Sequence, residues 1–126
     1  MKYAVDLAKT YGAELILLHV LQRQFYALAP SEAGVMSTTV YVKEVETEGK
    51  DILSRAESNL KTEGLHYRSR LIQGVPADEI VKVAQSEMVD LIVLGSRGLT
   101  EVRAFLLGSV SDRVSHRAKC PTLIVR

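Results

Sequence analysis

The sequence predicts an α/β fold, a three-layer sandwich in which an open parallel sheet carries helices on both faces. Three observations predict it. Segments of helical period alternate with short apolar runs along the whole chain, the pattern of strand–helix–strand crossovers. The central runs are apolar on both faces, as strands covered from both sides are. A glycine-bearing loop joins one of these runs to a helix, and in such sheets ligands bind beyond the carboxyl ends of the strands.

The elements follow in order. Ala4, Leu7, Ala8 and Tyr11 recur at helical spacing, so the chain opens inside a helix, with Gly12 as its C-cap. Glu14–Val20 reads as a buried strand. Residues 22–42, with Pro30, Gly34 and several Ser and Thr, read as an irregular connection, long against a usual median of about 4–6 residues. Lys43–Lys61 resumes a helical stripe through Val45, Ile52, Leu53, Ala56 and Leu60, closed by Gly64. In His66–Gln73 the side chains alternate, with His66, Arg68 and Arg70 on one face and Tyr67, Ser69 and Leu71 on the other, which suits a sheet edge.

Pro76, Asp78 and Glu79 fit the first turn of a helix, whose buried stripe is Ile80, Val83, Ala84 and Met88. Asp90–Gly95 is a further buried strand. A helix from about Ser109 to Lys119 follows the glycine loop, and Thr122–Val125 closes the chain as a short apolar strand.

The 126 residues suffice for one domain, 1–126. There are 16 basic and 15 acidic residues, a net charge of +1. This balance offers no attraction to nucleic acid or an anionic membrane. No apolar run approaches the ~20 residues of a membrane span, and Met1–Asp6 has no signal core. One cysteine, Cys120, allows no internal disulfide. The expected location is the cytoplasm.

The informative constellation is Gly95-Ser-Arg-Gly98, nine further residues, then Gly108-Ser109. A bound phosphate needs close backbone approach and converging N–H donors. Glycine removes the obstructing Cβ, and a helix N-terminus supplies donors and the positive end of its dipole. Gly108 and Ser109 stand at such a start, and Gly95 and Gly98 can bend the loop toward it. A structural reading stands beside this one. Gly95 then ends a strand, Gly98 makes a turn, and Ser109 is an N-cap with Asp112 completing a capping box.

The spacing G-x2-G-x9-G-S resembles the nucleotide loop of the ATP-binding universal stress proteins. Ala4–Ala8, Leu17–Val20, Gly74–Ile80 and Cys120–Val125 also resemble that family, and only residues 22–42 fall outside the likeness. The resemblance implies a Rossmann-like sheet of the adenine nucleotide alpha hydrolase type. It implies ATP, with or without Mg²⁺, held by Gly95, Arg97, Gly98, Gly108 and Ser109, and adenine contacted by the Val20 backbone. It also implies a homodimer paired through Thr122–Val125 and a regulatory role in the stress response. It implies a strand order of 3-2-1-4-5, in which the first strand and its nucleoside-contacting Asp are missing from this chain. A truncated chain, with weakened nucleotide affinity, is the expectation.

The remaining candidates carry less. Arg97 and Arg103 lie in the loop, where a phosphate partner and a solvated arginine are both open readings. His19 reads as a core histidine, and His66 and His116 as surface residues. The histidines show no metal-ligand spacing with Cys120 or the carboxylates. Ser96 and Ser109 have no neighbouring His–Asp pair. No catalytic residue is assigned. Two functions compete with the regulator: a slow ATPase or nucleotidyl-transfer enzyme, and a nucleotide-free interaction module.

Overall fold

Eight elements are resolved in the computed structural model, which describes residues 1–22, 34–96 and 107–126, with only the backbone of 34–42. They are α1 (Lys2–Tyr11), β1 (Leu15–Gln22), α2 (Gly34–Thr62), β2 (Tyr67–Gly74), α3 (Pro76–Ser86), β3 (Ile92–Gly95), α4 (Ser109–Arg117) and β4 (Thr122–Val125). They fall into two compact units, Met1–Val75 and Pro76–Arg126. The alternation read from the sequence is therefore present throughout.

In the first unit β1 pairs with β2 in parallel, from Leu15↔Tyr67 to Gln22↔Gly74. Leu15 N–H donates to His66 O at 3.0 Å and starts the ladder. A parallel pair requires a crossover, and α2 provides it, packing on both strands. Ser69, on the face read as opposite to Arg68, donates its hydroxyl to Glu57 of α2. Arg68, on the other face, pairs with Glu14 at 2.7 Å. Among the described residues of this unit, Val5, Ala8, Leu21 and Leu60 have buried side chains.

A closely approached glycine sets how α2 meets the strands. A Cβ on Gly49 would stand 2.7 Å from Leu21 Cδ2, 3.1 Å from His19 Cδ2 and 3.2 Å from Leu71 Cδ1. All three carbons lie closer than a Cβ ordinarily comes, so any larger residue here would force these side chains to shift.

In the second unit β3 pairs with β4 in parallel, from Ile92↔Thr122 to Gly95↔Val125. Ile92 N–H to Pro121 O (3.0 Å) and Ser96 N–H to Val125 O (2.8 Å) extend the ladder at its two ends. α3 packs against α4. The core gathers Ala77, Ile92 and Val114, with Ile80, Ala84, Leu94, Val110 and Cys120 packed around them. Val114 is wholly buried, a burial worth roughly 1.5–3 kcal/mol. Cys120 is a free, partly buried thiol in this packing.

Three helices end in the same way. Ala13 N–H donates to Ala8 O, Leu65 N–H to Leu60 O, and Val89 N–H to Ala84 O, the six-to-one bond of a Schellman motif. The residue before each donor is left-handed: Gly12 at φ 62°, Gly64 at φ 68° and Met88 at φ 50°. The first two are the glycines that the sequence marks as helix ends. The third places a methionine, 84% exposed, where the backbone favours glycine.

The sequence and the structure part at Gly34–Val42. This stretch reads as irregular, yet its backbone is helical and begins the 29-residue α2. Glycine and β-branched residues depress local helix propensity there. Propagation from a formed helix costs far less than nucleation, so a long downstream segment carries weak formers with it. Residues 23–33 lie outside the described residues.

Candidate functional site

The second unit brings together the two ends of the glycine segment. β3 delivers Gly95 and Ser96, and α4 starts at Ser109 with Gly108 as its N-cap. Gly108 N–H donates to Ser96 O at 2.6 Å. One residue back, Gly95 O accepts the Ser111 hydroxyl at 2.5 Å. Consecutive carbonyls at the end of the strand thus hold the first turn of the helix. Ser96 and Ser111 are both buried.

This arrangement refines the two readings of Gly108 and Ser109. Gly108, and not Ser109, is the N-cap, with ordinary extended backbone at φ −61°, ψ 153° and no side-chain cap. Ser109 is the first helical residue, one position past the cap that a capping box with Asp112 would need. The Asp112 carboxylate instead faces His116, with Nδ1–Oδ1 at 3.5 Å. The helix starts one residue earlier than that box requires, since a Ser109 N-cap would take the first intrahelical bond on its own carbonyl. The first intrahelical bond runs from Asp112 N–H to Gly108 O at 2.9 Å. The amides ahead of it point out of the helix end, as in any α-helix. The positive dipole end therefore stands beside the carboxyl end of a parallel strand. Backbone of that kind can hold an anion.

Gly95, Gly108 and Ser109 are brought to one place. Arg97, Gly98 and Arg103 lie outside the described residues. Val20 belongs to the first unit, on β1, and the strand continues two residues beyond it to Gln22.

Two of the three histidines fall as the sequence suggests. His66 and His116 are exposed. His19 is half-buried on β1 and faces α2 at Gly49. Burial holds its pKa below the usual 6.5, and the charge of Glu48 opposes that shift in part. Among the described residues no group of three or more His, Cys, Asp or Glu is placed to hold a metal ion, and no helix is long and apolar enough to cross a membrane.

Ser111 was not singled out in the sequence. Its one signal is a small polar residue set inside the first turn of a helix, at a position between Val110 and Val114 that burial would assign to an apolar side chain.

Comparison with known proteins agrees with this architecture. The sequence profile of the universal stress protein family matches residues 1–126. Universal stress protein YxiE of Bacillus subtilis is 38% identical, over 98% of this chain and 86% of its own length. The solved structure of protein MJ0577, a universal stress protein of Methanocaldococcus jannaschii, superposes with a TM-score of 0.82 at 28% identity, over 98% of this chain and 85% of its own. A universal stress protein solved in complex with cAMP superposes with a TM-score of 0.58 at 26% identity, over 99% and 82%. With a whole-chain profile match and relatives of this identity and coverage, the chain belongs to the universal stress protein family.

Proposed function

We propose that this protein binds an adenine nucleotide, ATP, with its phosphates at the segment Gly95–Ser109, and acts as a nucleotide-dependent regulator. One observation carries the reading: Gly108 N–H on Ser96 O at 2.6 Å sets a helix N-terminus against the carboxyl end of β3. Helix amides and a positive dipole end are the groups a phosphate needs, and the carboxyl end of a parallel strand is where such sheets take ligands. The G-x2-G-x9-G-S spacing supports the same reading, and so does the cAMP complex of a relative 26% identical. Arg97 and Gly98 belong to the proposed phosphate site. Mg²⁺, where it accompanies ATP, comes with the phosphates.

The binding test is calorimetric titration of ATP, with and without Mg²⁺, into the 126-residue chain, beside Gly108→Ala and Gly108→Val. The backbone angles at Gly108 are open to any residue, so the helix start tolerates both changes conformationally. Saturable binding by the wild type, weakened at least about tenfold (about 1.4 kcal/mol) in a folded Gly108→Val, is expected. A folded wild-type chain that gives no heat with ATP rejects the reading.

Regulation in this family resemblance goes with homodimers paired through Thr122–Val125. β4 has β3 on one side and no further strand among the described residues, which leaves an edge of the kind that pairs with a second copy. Sedimentation that finds only the 13.9 kDa monomer removes the dimer from the proposal.

A further inference from the structure

We infer that Ser111 is a positioning residue for phosphate binding. Its hydroxyl fixes where the amide end of α4 stands, without touching the ligand. The inference rests on the nucleotide reading above and names a residue that the glycine spacing does not contain.

Other helical hydroxyls show what is unusual about Ser111. Thr10, Thr47, Ser58, Thr62, Ser86 and Ser115 each donate to a carbonyl three or four residues back in their own helix. Such bonds satisfy the hydroxyl and tie nothing to anything else. Ser111 donates across sixteen residues to Gly95 O at 2.5 Å. It is 2% exposed, so water does not compete for the bond. Ser111→Ala removes this donor from Gly95 O.

The geometry then assigns a mechanical role. One bond, Gly108 N–H to Ser96 O, places the helix start but leaves it free to pivot. A second bond, from the Ser111 hydroxyl in the same first turn to the adjacent carbonyl, removes the pivot. The strand end is itself anchored by Ser96 N–H on Val125 O at 2.8 Å. The dipole and amide effects of a helix end fall off within one turn, so the direction of the first turn matters to an anion beyond it. Adenosine, which has no phosphate, does not sense that direction.

The experiment is calorimetric titration of ATP and of adenosine into wild type, Ser111→Ala, Ser111→Thr and, as a control on the same helix, Ser115→Ala, with each variant's folding followed by circular dichroism and urea midpoint. The expected result is a loss of about tenfold in ATP affinity for Ser111→Ala, with adenosine changed less than about twofold. Ser111→Thr, which keeps the hydroxyl, recovers most of the ATP affinity, and Ser115→Ala matches wild type with both ligands. Equal losses for ATP and adenosine, or a folded Ser111→Ala with wild-type ATP affinity, overturn the inference. Should Ser111→Ala fail to fold, Ser111→Cys keeps the volume and weakens the donor, and is read in the same way. Failure of both to fold assigns the serine to stability alone and also overturns it. A wild-type chain that binds neither ligand rejects the nucleotide reading itself, a result distinct from every outcome above.

Discussion

Replacing Gly49 by alanine sets two physical effects of opposite sign against each other. Alanine in a helix interior is favoured over glycine by about 1 kcal/mol. At this position, however, the new Cβ would meet Leu21 Cδ2 at 2.7 Å, with His19 and Leu71 at 3.1 and 3.2 Å. Leu21 is buried and cannot swing into solvent. Overpacking of this kind costs roughly 1–3 kcal/mol. The expected net effect is a destabilisation of up to about 2 kcal/mol, read as a fall in the urea midpoint at unchanged slope. A double-mutant cycle isolates the packing part. Leu21→Val removes the closest carbon, and the helix-propensity gain is the same in both backgrounds and cancels. A coupling energy of about 0.5–3 kcal/mol is expected, in the range of residues that touch. Gly49→Ala that stabilises the protein by the full propensity gain, with no coupling to Leu21, would refute the close approach of α2 to the sheet.

The left-handed helix ends give a paired prediction. Met88→Gly relieves an αL strain worth about 1 kcal/mol and raises the denaturation midpoint, whereas Gly64→Ala, with open space around the new Cβ, lowers it by about as much. His19 is held below its usual pKa of 6.5 by burial. Its unfolded form therefore takes up a proton first as pH falls, and stability drops on going down through 6.5 toward the folded value; His19→Gln should flatten urea midpoints measured across that window. Thr122 Oγ1 is buried without a hydrogen-bond partner among the described residues. Thr122→Val, of similar shape, is expected to stabilise by about 1 kcal/mol, and a loss of stability would show that the hydroxyl is satisfied.

Much of the fold was legible because its signals are local. Periodicity finds α1, periodicity with Pro76, Asp78 and Glu79 finds α3, and Gly12 and Gly64 end helices for a backbone reason that acts within a single turn. What the sequence hid depends on distant partners. Gly49 stands in the stripe between Val45 and Leu53, a place where an apolar side chain is expected, and only the strands beneath it explain the exception. Met88 reads as the last residue of a buried stripe, yet it is exposed, because the helix stops at Ser86 and turns left-handed. Ser109 looks like an N-cap until the first helical bond, Asp112 N–H to Gly108 O, is seen. The site shows the same division. The glycine spacing locates the strand end and the helix start, and the two bonds that hold them together, Gly108 to Ser96 and Ser111 to Gly95, become visible only in three dimensions.

The parallel register of the two sheets also bears on how the chain acquires its structure. Leu15 pairs with Tyr67 and Ile92 with Thr122, separations of 52 and 30 residues. Neither ladder can begin as a hairpin, since each requires its whole helical crossover to be in place. Closing the longer loop costs more by about 0.5 kcal/mol on chain statistics alone. Contacts this distant in sequence slow folding relative to a helical bundle of the same size. The unpaired strands β1 and β2 stay exposed until α2 has formed, so this first unit is the part of the chain most open to aggregation while it folds.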